Sequence, residues 1–133
     1  MLAKPSRRVR RWVLNKITEM IIGCAFKVSN TLGCGFLEKV YENALVHELR
    51  KTGLRVTQQY PIKVYYDGIV VGNFEADLLV QESVIVELKA IRTMTERDES
   101  QCLNYLKATQ LNIGLLINFG NTKVEIKRIA NKY

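Results

Sequence analysis

Asp77, Glu87 and Lys89 are the residues whose types and spacing could do chemistry together. In Val84–Ala90, successive strand side chains point to opposite faces, so Val84, Val86, Leu88 and Ala90 share one face and Ile85, Glu87 and Lys89 the other. Glu87 and Lys89 are then neighbours, although alternation alone equally describes a strand with one buried and one wet face. Asp77 gives the pair its meaning. It is embedded among Ala76, Leu78, Leu79 and Val80, where β-propensity disfavours aspartate unless something uses it. If this segment turns back through Gln81–Ser83 and pairs antiparallel with Val84–Ala90, Asp77 lies beside Glu87. Two converging carboxylates repel each other unless a cation sits between them, and hard oxygen donors suit Mg²⁺, which keeps waters for a reaction. An ion held by Asp77, Glu87 and the backbone carbonyl of Leu88 would polarise a phosphodiester oxygen and lower the pKa of a bound water. Lys89, a compact cation on a flexible stem, would orient that water or stabilise the charge of the transition state.

Two further pairs sit at helical spacing. Glu38 and Tyr41 are three apart, behind Gly35, which lets the chain turn tightly into a helix. Gln101 and Tyr105 are four apart and project together, and the Gln amide both donates and accepts hydrogen bonds. Each pair taken singly also fits a structural role.

The elements that must position these residues follow from hydrophobic period. Val13, Ile17, Met20, Ile21, Cys24, Ala25 and Val28 recur at three- and four-residue steps, which predicts an amphipathic helix over Val13–Asn30. Gly33 and Gly35 break it, and a second helix is expected from Phe36 to Lys51, with Gly53 where a C-terminal cap belongs. Strands follow over Val56–Tyr66 and Ile69–Val80, joined by the hairpin dipeptide Asp67-Gly68. Val84–Ala90 is a third strand, Thr95–Thr109 a helix, and Ile113–Phe119 and Lys123–Ile129 the last two strands. This order predicts one mixed α/β layer structure.

The chain of 133 residues fits one domain, read as 12–133 behind a basic tail over residues 1–11. With 47% apolar and 25% charged residues it has the composition of a globular protein. Of the net charge of +7, five positive charges fall on Lys4, Arg7, Arg8, Arg10 and Arg11 with no acid among them. Such a cluster can neutralise phosphates, which makes nucleic acid a natural partner, with Arg7, Arg8, Arg10 and Arg11 as its contacts. The thiols Cys24, Cys34 and Cys102 stand far apart, with His47 as the one histidine, so no zinc set is visible and each reads as a core or near-core residue in a reducing cytosol. No 18-residue apolar window is present, so the expectation is a cytoplasmic protein without a membrane partner.

Gly35-Phe36-Leu37-Glu38-Lys39-Val40-Tyr41 reads as a G-x-x-E-x-x-Y signature, and Asp77 followed by Glu87-Leu88-Lys89 resembles the split D…E-x-K core of the PD-(D/E)XK nucleases. Gln101 to Tyr105 is similar to the Q-x-x-x-Y helix of RecB-like members, and the likeness runs on through Ile113–Gly120. Cys34 stands where a proline would be expected, and no proline precedes Asp77. The resemblance implies a restriction-endonuclease-like core, a central mixed β-sheet flanked by helices. It also implies a Mg²⁺- or Mn²⁺-dependent phosphodiesterase site at Asp77, Glu87 and Lys89, with Glu38 as an additional acidic ligand of the metal or of a water. Gln101 and Tyr105 would line the site or contact the nucleic-acid backbone, and Tyr41 would join the arginines in contacting nucleic acid, DNA ahead of RNA. Two other expectations stand beside it: a non-catalytic nucleic-acid-binding or regulatory module on the same fold, and a homodimer through the apolar first helix.

Overall fold

The structure, a computed structural model, describes residues 4–131. Its elements are α1 (Arg7–Leu32), α2 (Glu38–Lys51), β1 (Val56–Tyr66), β2 (Ile69–Val80), β3 (Val84–Lys89), α3 (Glu96–Thr109), β4 (Ile113–Asn118) and β5 (Glu125–Ala130). The five strands form one sheet in sequential order. β3 and β4 run parallel, joined through α3, and the other neighbours are antiparallel. This is the mixed sheet flanked by helices that the order of elements and the resemblance both led to expect.

Alternation along β3 sorts the two layers. Val84, Val86 and Leu88 pack with Ile21, Ala25 and Val28 of α1 and Tyr41, Leu45 and Leu49 of α2. Ile85 faces the other way, into a smaller cluster with Leu79 and with Tyr105 and Leu106 of α3. All six residues of β4 are buried, as befits a strand covered on both faces. Burying each such Leu or Ile contributes roughly 1.5–3 kcal/mol, and this sandwich holds the β3 end rigid.

The hairpin forms as its turn chemistry dictates: Asp67 and Gly68 both have positive φ, 54° and 74°, which matches the right-handed twist of the flanking strands. The basic segment expected as a tail is helical from Arg7 onward. Ser6 caps that helix by accepting from the Val9 N–H at 3.2 Å, and Arg propagates a helix well once it is nucleated. Cys24 and Cys102 are buried as expected, whereas Cys34 is exposed on the loop between the first two helices. Among the described residues no helix is long and apolar enough to cross a membrane.

Asn118 closes β4 with a completely buried amide. Its Oδ1 accepts from the Ile91 and Gly120 N–H groups, each at 3.0 Å, and its Nδ2 donates to the Ile91 carbonyl at 2.8 Å. With the Phe119 N–H donating to the Lys89 carbonyl at 2.8 Å, these bonds fasten the chain just beyond the Glu-x-Lys strand. Truncating Asn118 to Ala strands buried donors at about 1–3 kcal/mol for such a group, so we expect a lower denaturant midpoint with an unchanged slope. An unshifted midpoint would show that the segment is held by other means.

Candidate active site

The tight turn between β2 and β3 sets the register Leu78↔Val86, Leu79↔Ile85 and Val80↔Val84. One step further along the same register is Asp77 opposite Glu87. There the ladder stops, and the Asp77 side chain takes the place of a backbone rung: its Oδ2 accepts from the Leu88 N–H at 2.8 Å. In an extended strand the N–H and C=O of one residue point to the same side, so the Leu88 carbonyl is also directed toward β2.

Asp77 is free to do this because β2 changes face around it. Ala76 packs in the cluster under α3, whereas Leu78, two residues on, packs under α1 and α2. On the neighbouring strand Gln59 has φ 53°, and the β1–β2 register skips the Gln59–Asp77 pair. A local irregularity of this kind re-aims a side chain, and here it turns a carboxylate onto the end of β3. Gln58 and Gln59 both donate to Glu42 of α2, at 2.7 Å and 3.1 Å, and Lys39 pairs with the same carboxylate at 3.0 Å. Glu42 is 2% exposed and anchors α2 to β1 at this break.

One turn earlier on α2 stands Glu38. The loop before it needs positive φ at Gly33 and Gly35, 69° and 114°, where an L side chain is strained. Tyr41 clamps that loop: its hydroxyl donates to the Gly33 carbonyl at 2.7 Å and accepts from the Phe36 N–H at 3.2 Å. Its ring stacks on Phe119 with centroids 4.8 Å apart. Tyr41 is therefore completely buried, and the expectation that it contacts nucleic acid is corrected. Its spacing from Glu38 reflects a structural need, because the tyrosine shapes the turn from which the acid is launched.

The charges of these groups act on one another. Glu87 is pushed up to about 9, first by burial and then by its hydrogen bond with Asp77 and the Asp77 charge. Glu87 therefore keeps its proton up to about 9 beside Asp77. Glu38 is raised by partial desolvation and by Asp77, while Lys89 pulls it down, so Glu38 lies within electrostatic reach of both. Lys89 pairs with Asp98 at 3.6 Å. Asp98 also caps α3 by accepting from the Thr95 N–H at 2.9 Å, the largest of the influences that lower its pKa. On the next turn of α3 the Gln101 amide donates to the Tyr105 hydroxyl at 2.9 Å. Tyr105 is raised by burial and by the charges of Glu87 and Asp77.

Glu87 Oε1 is buried with no hydrogen-bond partner. A buried carboxyl oxygen without a partner, on a group beside a second carboxyl, is what a hard cation would satisfy once the proton leaves, so the donor chemistry fits Mg²⁺ or Mn²⁺. Among the described residues no three His, Cys, Asp or Glu side chains are disposed to cage an ion alone. Glu38, expected as a ligand of the metal or of a water, is exposed and belongs to no three-carboxylate set among the described residues. Mg²⁺ needs no such cage, since it is commonly bound through one or two carboxylates with water and phosphate completing the shell.

The sequence profile of the PD-(D/E)XK nuclease superfamily matches residues 15–129. The chain belongs to the PD-(D/E)XK nuclease superfamily. The crystal structure of SSO0001 is similar to this PD-(D/E)XK fold, with a TM-score of 0.54 at 16% identity over 96% of the chain. The chain spans 63% of that protein's length, and at this identity the likeness concerns the fold. No curated protein matches the chain.

The basic cluster lies elsewhere. Arg7, Arg10 and Arg11 border a hollow of about 360 Å³ with Ser83 and Asn112, at the starts of β3 and β4. Glu87 and Lys89 are at the opposite end of β3, roughly 13–20 Å from Ser83 at ~3.3 Å per strand residue. Asp98, Asn118 and Glu42 are the site-shaping residues that the sequence reading passed over. For Asp98 a signal was present, since Thr95-Glu96-Arg97-Asp98 has the spacing of a helix-capping pair.

Proposed function

We propose that the chain is a metal-dependent nuclease that hydrolyses phosphodiester bonds of nucleic acid, of the G-x-x-E-x-x-Y type within its superfamily. The observation that carries this reading is the buried Glu87 Oε1, left without a partner on a carboxyl group that is coupled to Asp77 and Lys89. A bound Mg²⁺ or Mn²⁺ would neutralise phosphate charge and make a water acidic enough to attack at neutral pH. Asp77, Glu87 and the Leu88 carbonyl would hold it. Asp77 is fixed for this by its bond to the Leu88 N–H, so its second oxygen remains for the ion. Lys89 orients the attacking water and stabilises the charge that builds on the phosphoryl oxygens, released from Asp98 as the more negative substrate arrives. Gln101 and Tyr105 border the scissile phosphate, and Glu38 orders water at the rim. Arg7, Arg8, Arg10 and Arg11 contact the polymer at a distance from the chemistry, where they contribute affinity that salt weakens.

Lys89→Ala separates the roles. We expect cleavage of labelled oligonucleotides in Mg²⁺ to fall by about a hundredfold or more, as for loss of one transition-state donor, with Mn²⁺ affinity within about twofold of wild type. Cleavage unchanged by Lys89→Ala would overturn the role of the lysine. A wild-type chain that cuts no DNA or RNA with either metal would overturn the nuclease reading and favour a binding module.

A further inference from the structure

A groove of about 870 Å³ opens between α3 and the β1–β2 hairpin. That volume lies within the roughly 300–1,000 Å³ range of small-ligand sites. Its walls include the aromatic rings of Tyr65, Phe74 and Tyr105, and its rim carries Lys63, Arg97 and Lys107. Among the described residues none of these three cations has a carboxylate within ion-pair distance. Phe74 is 46% exposed and Tyr65 61%, large aromatic surfaces left open to solvent on a hairpin. Phe74 leans on Tyr105, centroids 5.8 Å apart, and lies along the strand over Gly72, where an added Cβ would sit 2.9 Å from the ring. The ring is thus backed on two sides and presents its remaining face. Asp98, the acid in the lining, accepts from the Thr95 N–H and pairs with Lys89 at 3.6 Å, so one wall of the groove is in contact with the lysine of the candidate site.

Open aromatic faces interleaved with unpaired cations are the chemistry that takes a flexible single strand, its bases stacked on the rings and its phosphates on the rim. We propose that this groove binds unpaired nucleotides next to the bond to be cut, so that the protein acts on single-stranded nucleic acid or on the frayed end of a duplex. The proposal rests on the nuclease reading for the words "to be cut", while the binding itself does not. A duplex keeps its bases stacked on each other and offers no free face to Phe74 or Tyr65.

The test is fluorescence anisotropy of labelled single-stranded and duplex oligonucleotides, DNA and RNA, of one sequence, with the full chain in chelator so that nothing is cleaved. Phe74→Leu keeps apolar packing on Tyr105 and removes the ring; Tyr65→Ala alters a side chain at the solvent-facing hairpin. The expected result is tighter binding of the single strand, weakened about tenfold by each variant, with duplex binding within about twofold of wild type. Equal binding by both variants, preferential duplex binding, or no binding of either polymer overturns the proposal. Variant-sensitive single-strand binding by a chain that never cleaves supports the groove and sinks the nuclease reading alone. Metal-dependent cleavage with variant-insensitive binding does the reverse.

Discussion

Replacing Glu87 by Gln is expected to abolish cleavage, by on the order of a thousandfold or more, while making the metal-free protein more stable at pH 8. The two effects share one origin. Glu87 in the folded chain holds its proton up to about 9, whereas in the unfolded chain it releases it near the usual 4.5. Below the unfolded value both states are protonated and the contribution to stability is fully present. As pH rises from 4.5 toward 9 the unfolded chain ionises and the folded one does not, so stability is lost across that window, at up to about 1.4 kcal/mol per pH unit. Gln cannot ionise and keeps the shape, so Glu87→Gln removes that slope. Thermal melts in chelator from pH 5 to pH 9 should therefore converge at the acidic end and separate at the alkaline end, the variant melting higher. Parallel curves would mean that Glu87 is ionised in the apo protein. Such a trade of stability for function is expected where a site keeps two carboxyl groups in contact.

Metal uptake should release a proton, and affinity should rise with pH. Ligand oxygens bind the ion as carboxylate, so below about 9 Glu87 must give up its proton as Mg²⁺ or Mn²⁺ enters. Affinity should then climb by up to about tenfold per pH unit between pH 6 and 8 and level off toward pH 9. Calorimetric titrations with Mn²⁺ in two buffers of different ionisation enthalpy would read the released proton directly. The expected figure is close to one per ion in the wild-type chain and near zero, with much weaker binding, in Glu87→Gln. Metal binding without proton release would place the ion on other groups.

Much of this site was legible because it is built from local rules. Asp67-Gly68 fixes the hairpin, and the short Gln81–Ser83 turn fixes the register that sets Asp77 against Glu87; alternation did the rest for Lys89. What was hidden depends on distant partners. Tyr41 looked like a contact residue because its spacing from Glu38 is visible in the sequence, whereas the Phe119 ring that buries it is 78 positions away. The start of α1 was set late because the apolar period begins at Val13, yet Ser6 and the helix-forming arginines need no apolar face to extend it. Glu42 gave no signal at all: its partners Gln58 and Gln59 are ordinary strand residues until β1 bends beside Asp77.

The most direct test of the central claim is an incubation of the wild-type chain and Glu87→Gln, purified identically, with end-labelled single- and double-stranded DNA and RNA in Mg²⁺, Mn²⁺ and chelator. The expected result is cleavage by the wild-type chain with metal, none in chelator and none by Glu87→Gln under any condition. Equal cleavage by the two proteins, or cleavage that persists in chelator, would contradict it.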